Sequence, residues 1–128
     1  MEREKIINFL EKFDYRYSVK NQVIEVKLDF SQKVMIDLSE TNKIKIYDEL
    51  VGWNFLTGLL VMSLKNAIIY NFIISIISSF VFFYLQSLIS SINFIPFYFV
   101  FILWLLMSIQ YYVIKLENFK SRIMNLQE

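Results

Sequence analysis

The chain has 128 residues, 56% hydrophobic and 18% aromatic against 20% charged, with a net charge of +1. It contains no cysteine and no histidine, which excludes disulfide staples, thiol nucleophiles, Ser-His-Asp triads and zinc sites built on Cys or His. The near-neutral balance gives no electrostatic footprint for nucleic acid, and two glycines leave no phosphate-cradling loop.

The average conceals two unlike parts. Met1 to Lys65 carries ten Lys/Arg and ten Asp/Glu, whereas the 49 residues from Asn66 to Ile114 carry no ionisable Asp, Glu, Lys, Arg or His. A bilayer core of about 30 Å needs roughly 20 apolar residues per helical crossing, so this run suits two crossings with a tight connection. A buried soluble core is the poorer reading, because so small a domain cannot surround two all-round apolar helices with polar surface.

The charged, mixed-sign start, Met1 to Lys5, does not lead into a short apolar stretch with a small-residue cleavage site, and no signal peptide is expected. Between Glu2 and Phe13, Ile6, Phe9, Leu10 and Phe13 recur at helical spacing and predict one amphipathic helix. The period then drops to two. Arg16 to Val19, Val23 to Phe30, Lys33 to Ser39 and Lys43 to Tyr47 read as four strands joined at Lys20-Asn21-Gln22, Ser31-Gln32 and Glu40-Thr41-Asn42. Ile24, Val26, Leu28 and Phe30 alternate with Glu25, Lys27 and Asp29, so an antiparallel meander with one greasy face is expected, covered by the first helix. A module of about 50 residues is marginal without help from a membrane or a partner.

Leu50 to Leu64 is apolar nearly all round yet too short to span. It reads as an interfacial helix with Trp53 at headgroup level, as a core-closing element or as an extension of the first span; a membrane-hugging or core-closing element fits best. The spans themselves are expected at about 67–90 and 97–114, with Ser90 to Pro96 as the turn. Tyr84 and Tyr98 suit the interface at the turn side, and Tyr70, Tyr111 and Tyr112 the opposite one. Lys65 precedes the first span, Lys115, Lys120 and Arg122 follow the second, and the turn has no basic residue, so both termini are expected in the cytoplasm. From Lys115, Leu116, Phe119, Ile123 and Leu126 continue an amphipathic helix. The expected fold is thus a small cytoplasmic α+β domain over 1–50, an apolar juxtamembrane segment over 51–65, a transmembrane hairpin over 66–114 and a helical tail over 115–128.

Polar residues in the spans are the candidate site. Asn71, Ser75, Ser78, Ser79 and Gln86 form a stripe on the first span, and Ser108 and Gln110 lie toward the cytoplasmic end of the second, where Gln110 could reach Asn71. Such a stripe either packs helices together, Ser75 and Ser79 being a small-xxx-small pair, or lines an aqueous path; packing is favoured because no intramembrane charge accompanies it. The carboxylates of the first half alternate with lysines on strand faces and read as a solvated surface, not as an acid/base pair or a cation site. No catalytic residue, metal or cofactor is expected. The partners expected are the lipid bilayer and either a membrane protein or further copies of the chain. The composition supports a non-catalytic accessory or adaptor subunit; a homo-oligomeric pore is the alternative, and an immunity-type protein that blocks a membrane-active toxin is a third. The Ile-, Lys-, Asn- and Phe-rich vocabulary suggests an AT-rich bacterial genome, hence the bacterial inner membrane.

Overall fold

A computed structural model of the chain describes residues 2–40 and 42–126. Helix α1 (Glu2–Lys12) precedes strands β1 (Arg16–Lys20), β2 (Val23–Lys27), β3 (Gln32–Glu40) and β4 (Lys43–Leu50). Two long helices, α2 (Leu64–Leu88) and α3 (Ile95–Asn125), complete the chain. The fold is therefore an α+β domain followed by a helical hairpin. Thr41, of the expected turn between the third and fourth strands, lies outside the described residues, as do the last two positions of the tail.

The four strands form one antiparallel sheet in the order β1-β2-β3-β4. Register follows from the pattern of two: Ile24 pairs with Ile36 and Val26 with Val34 across β2 and β3, which puts all four on one face, each wholly buried. Ile6 and Leu10 of α1 close over them. The opposite face is polar, with Glu25 held by Lys33 at 3.1 Å; that ammonium keeps the Glu25 carboxyl below the usual carboxylate range.

Several boundaries differ from the expected ones: β4 runs on to Leu50 past Tyr47, α2 starts at Leu64 ahead of residue 67, and a third difference reshapes the sheet. β2 ends at Lys27, not Phe30, because Leu28 turns inward, its N–H donating to the Gln32 carbonyl at 2.7 Å, and Phe30 and Ser31 adopt left-handed φ of 57° and 66°. Gln32 thereby leaves the turn, pairs with Leu50 in β3 and β4, and is wholly buried. As the amphipathic spacing beyond Lys115 predicts, the helix of the second span continues into the tail. α3 runs unbroken for 31 residues, about 46 Å at 1.5 Å per residue, and its last turns join the sheet domain's core through Tyr112, Leu116, Phe119 and Ile123. The sheet is thus covered by two helices, one from each end of the chain.

α2 begins on two acceptors. Ser63 Oγ accepts from Asn66 N at 3.3 Å, and the Asp48 carboxylate accepts from Leu64 N at 2.7 Å, an anion at the positive end of the helix. The turn to α3 is closed by Gln86, whose Nε2 donates to Ile92 O at 3.2 Å and whose Oε1 accepts from Phe94 N at 2.8 Å; Pro96 then sits in the first turn of α3. Both helices are long and apolar enough to cross a membrane, and only 6% and 11% of their most apolar stretches is buried within the chain. A soluble core helix would be covered; here Phe72, Phe80, Phe83, Phe97, Val100 and Met107 stand open to the surroundings.

Candidate functional site

The residues that tie the sheet to the hairpin gather around the segment 51–63. It is neither helix nor strand but a moulded loop, built on one asparagine. Asn54 Oδ1 accepts from Leu56 N at 3.0 Å and Thr57 N at 2.8 Å, and its Nδ2 donates to Thr57 Oγ1 at 2.8 Å and to Gly58 O at 3.2 Å. Thr57 Oγ1 in turn donates to Leu60 O at 2.8 Å. An Asx-type network of this kind satisfies backbone groups that neither helix nor sheet would pair. Gly52, at φ +91°, makes the sharp entry into the loop.

The loop is fastened on every side. Leu50 N donates to Met62 O at 2.8 Å and Val51 N to Ser31 O at 2.8 Å, while Ser31 Oγ donates to Trp53 O at 2.6 Å. Asn71 Nδ2 donates to Leu56 O and, within its own helix, to Ala67 O, both at 2.8 Å. Tyr112 Oη accepts from Phe55 N at 3.4 Å and donates to Phe30 O at 3.0 Å. Asn71 lies six residues beyond Lys65, about 9 Å along α2, so the loop descends beside the apolar part of the helices. Irregular backbone is tolerated at such depth when its polar groups are satisfied inside the protein, which is what Asn54, Thr57, Asn71 and Tyr112 do. Leu56 is buried in the core, while Val51, Trp53, Leu59, Leu60 and Val61 are exposed.

The polar residues singled out in the spans fall in three places. Asn71 serves the loop and does not reach Gln110, which is exposed on α3. Ser75 Oγ donates to Phe72 O, Ser78 Oγ to Ser75 O and Ser108 Oγ to Trp104 O, each within its own helix. Ser79 Oγ bonds both to Ser75 O at 2.8 Å and, across the hairpin, to Tyr98 Oη at 2.6 Å. Gln86 belongs to the turn. The aromatic residues divide likewise: Tyr84 and Tyr111 are exposed, Tyr70 and Tyr98 half-buried, and Trp53 is 60% exposed beside Phe55. Tyr112, expected at the lipid interface, is instead the largest fully buried side chain in the domain.

Of the basic residues near the spans, Lys65 is exposed at the start of α2, Lys120 is half-buried, and Arg122 places its guanidinium 5.9 Å from the Phe13 ring. Lys115 donates to Asp29 Oδ2 at 2.9 Å and to Tyr111 Oη at 3.2 Å. The Lys115 hydrogen bond and charge hold the Asp29 carboxyl below the usual carboxylate range. Among the described residues no group of three or more His, Cys, Asp or Glu is placed to hold a metal ion.

Gln32, Asn54 and Thr57 were not singled out from the sequence. The Asn-x-x-Thr spacing ahead of Gly58 is a turn signal that could have found the last two. Gln32 had none, because its burial depends on Tyr112, 80 residues away. Comparison with family models, with curated proteins and with solved structures gives no match.

Proposed function

We propose that the chain is a non-catalytic accessory subunit of the bacterial inner membrane, with both termini in the cytoplasm, whose hairpin packs with other membrane helices while its sheet domain engages a cytoplasmic protein. The observation that carries this reading is the unbroken α3, which is at once the second apolar crossing and a structural part of the sheet domain's core. A partner held by the sheet domain is thereby fixed rigidly to the membrane, with no linker between module and anchor. The outer edge of β1 is unpaired in the strand order and offers main-chain donors and acceptors for such a partner. The uncovered apolar surface of α2 and α3 suits neighbouring helices. The serines of the spans, bonded to their own helix carbonyls, support packing over an aqueous lining.

The test is purification of the tagged chain from its native membrane in mild detergent, with mass spectrometry of co-purifying proteins and mass photometry of the particle. A stoichiometric complex with another membrane or cytoplasmic protein is expected. A homogeneous homo-oligomer without a partner, passing ions when reconstituted, would overturn the reading in favour of a pore.

A further inference from the structure

A cleft of about 620 Å³ opens between the α1–β1 turn, the β2–β3 hairpin and α3. Arg16 and Lys27 stand side by side on its wall as direct partners in the β1–β2 register. Like charges directly opposite on a sheet are unfavourable, and neither residue forms an ion pair among the described residues. Lys115 and Asp29 also line it, paired with each other at 2.9 Å. Asp14, in the α1–β1 turn, is the other carboxylate on the cleft. Three cations thus line the cleft against two carboxylates, Asp14 and an Asp29 that Lys115 bonds directly and Arg16 attracts by charge, and the open space between is large enough for an anion.

Depth selects the kind of anion. Lys115 is the first charged residue after the charge-free run and lies on the same continuous helix as the span, so the cleft stands at the level of lipid headgroups. Phe30 forms its membrane-side lip. Its φ of 57° is unusual for a bulky side chain and holds the ring, 52% exposed, on the boundary. On the other side of that ring is a second pocket, of about 280 Å³, walled by Phe55, Trp104, Met107 and Tyr111. A cationic cavity and an aromatic cavity thus share Phe30 as their common wall. A free phosphate would have no use for the second, and an apolar molecule none for the first; a ligand with an anionic head and a hydrocarbon chain fills both.

We propose that this double cavity is a binding site for one anionic phospholipid of the cytoplasmic leaflet, with its phosphate between Arg16 and Lys27 and an acyl chain against Trp104. The site rests on the membrane placement and orientation given above, since the cytoplasmic leaflet is the negatively charged one.

The two tryptophans, Trp53 and Trp104, supply the probe. A Trp53→Phe variant, in which Trp104 is the sole tryptophan and is excited selectively over tyrosine, is reconstituted in phosphatidylcholine vesicles that contain a small fraction of either dibrominated phosphatidylglycerol or dibrominated phosphatidylcholine. Bromines quench on contact, so a selective site makes the anionic quencher more effective at equal mole fraction. A preference of about fivefold or more is expected at low ionic strength from the adjacent Arg16 and Lys27 charges. It should fall to near parity in the Arg16→Gln/Lys27→Gln double variant, whose altered residues are both exposed and outside the core. Equal quenching by the two lipids with Arg16 and Lys27 present, or a preference that survives their replacement, overturns the site. Vesicles made wholly of dibrominated phosphatidylcholine separate the two levels of the argument. Strong quenching there without anionic preference sinks the lipid site alone, whereas no quenching there removes the membrane placement and the site with it.

Discussion

Two buried amides, Asn71 and Gln32, differ sharply in how well they are satisfied. Asn71 directs the two N–H groups of its amide to Leu56 O and Ala67 O, both at 2.8 Å, and the first of these bonds satisfies a loop carbonyl at apolar depth. Gln32 makes one long contact, 3.4 Å to Tyr112 O, and its Oε1 has no partner among the described residues. Removing a partner from a buried acceptor costs about 1–3 kcal/mol, whereas replacing an unsatisfied polar group by an apolar one of similar shape is neutral or favourable. Asn71→Leu is therefore expected to destabilise by roughly 1–3 kcal/mol, and Gln32→Met to change stability by less than about 1 kcal/mol or to raise it. Thermal unfolding of both variants in the same detergent checks the contrast. A Gln32→Met protein as damaged as Asn71→Leu would mean that the glutamine carbonyl oxygen meets a bound group, such as an internal water.

Among the elements, α3 is shared between two environments. Its first part is open to the surroundings and its last part is core: Leu116, Phe119 and Ile123 are almost wholly buried against the sheet and α1, with Tyr15 meeting the Phe119 ring edge-on at 5.3 Å. This supplies what so small a module lacks, a second covering helix for its sheet. Leu116→Ala is expected to cost about 2–5 kcal/mol, while the exposed neighbouring Glu117→Ala stays within about 0.5 kcal/mol. Hydrogen exchange locates the effect. Amides of β2 and β3 should lose protection in Leu116→Ala although the altered residue belongs to another element; loss confined to the end of α3 would show that the sheet stands without it.

For the whole molecule, the absence of native cysteine makes topology directly measurable. With both termini cytoplasmic, a Ser91→Cys variant in the turn between α2 and α3 should react with a membrane-impermeant maleimide on intact spheroplasts. A Lys20→Cys variant at the end of β1 should react only after lysis. The reverse pattern would invert the orientation, and labelling of both before lysis would remove the membrane crossing. The orientation also decides which leaflet the cationic cleft meets, so the same two variants bear on the lipid site.

Much of this was readable along the chain because its causes are local. A 49-residue stretch without charge forces apolar helices whatever else the protein does, and the change of period from 3.6 to 2 after Phe13 marks where α1 gives way to strands. Alternation in β2 likewise marks Ile24 and Val26 as one face, onto which the register with β3 brings Ile36 and Val34. What depended on distant partners could not be read. Leu28 to Ser31 continues the strand pattern yet turns, and Gln32 looks like a loop residue yet is buried. Tyr112 looks like an interfacial tyrosine yet bridges Phe55 and Phe30 from 82 residues beyond the latter. Composition determined that this chain is part polar module and part apolar hairpin, because burial of hydrocarbon and exposure of charge are properties of each residue. Only the tertiary structure decided that the two are joined through one helix and a pinned loop. Those contacts are set by which side chains meet in space, a relation that spacing along the sequence does not contain.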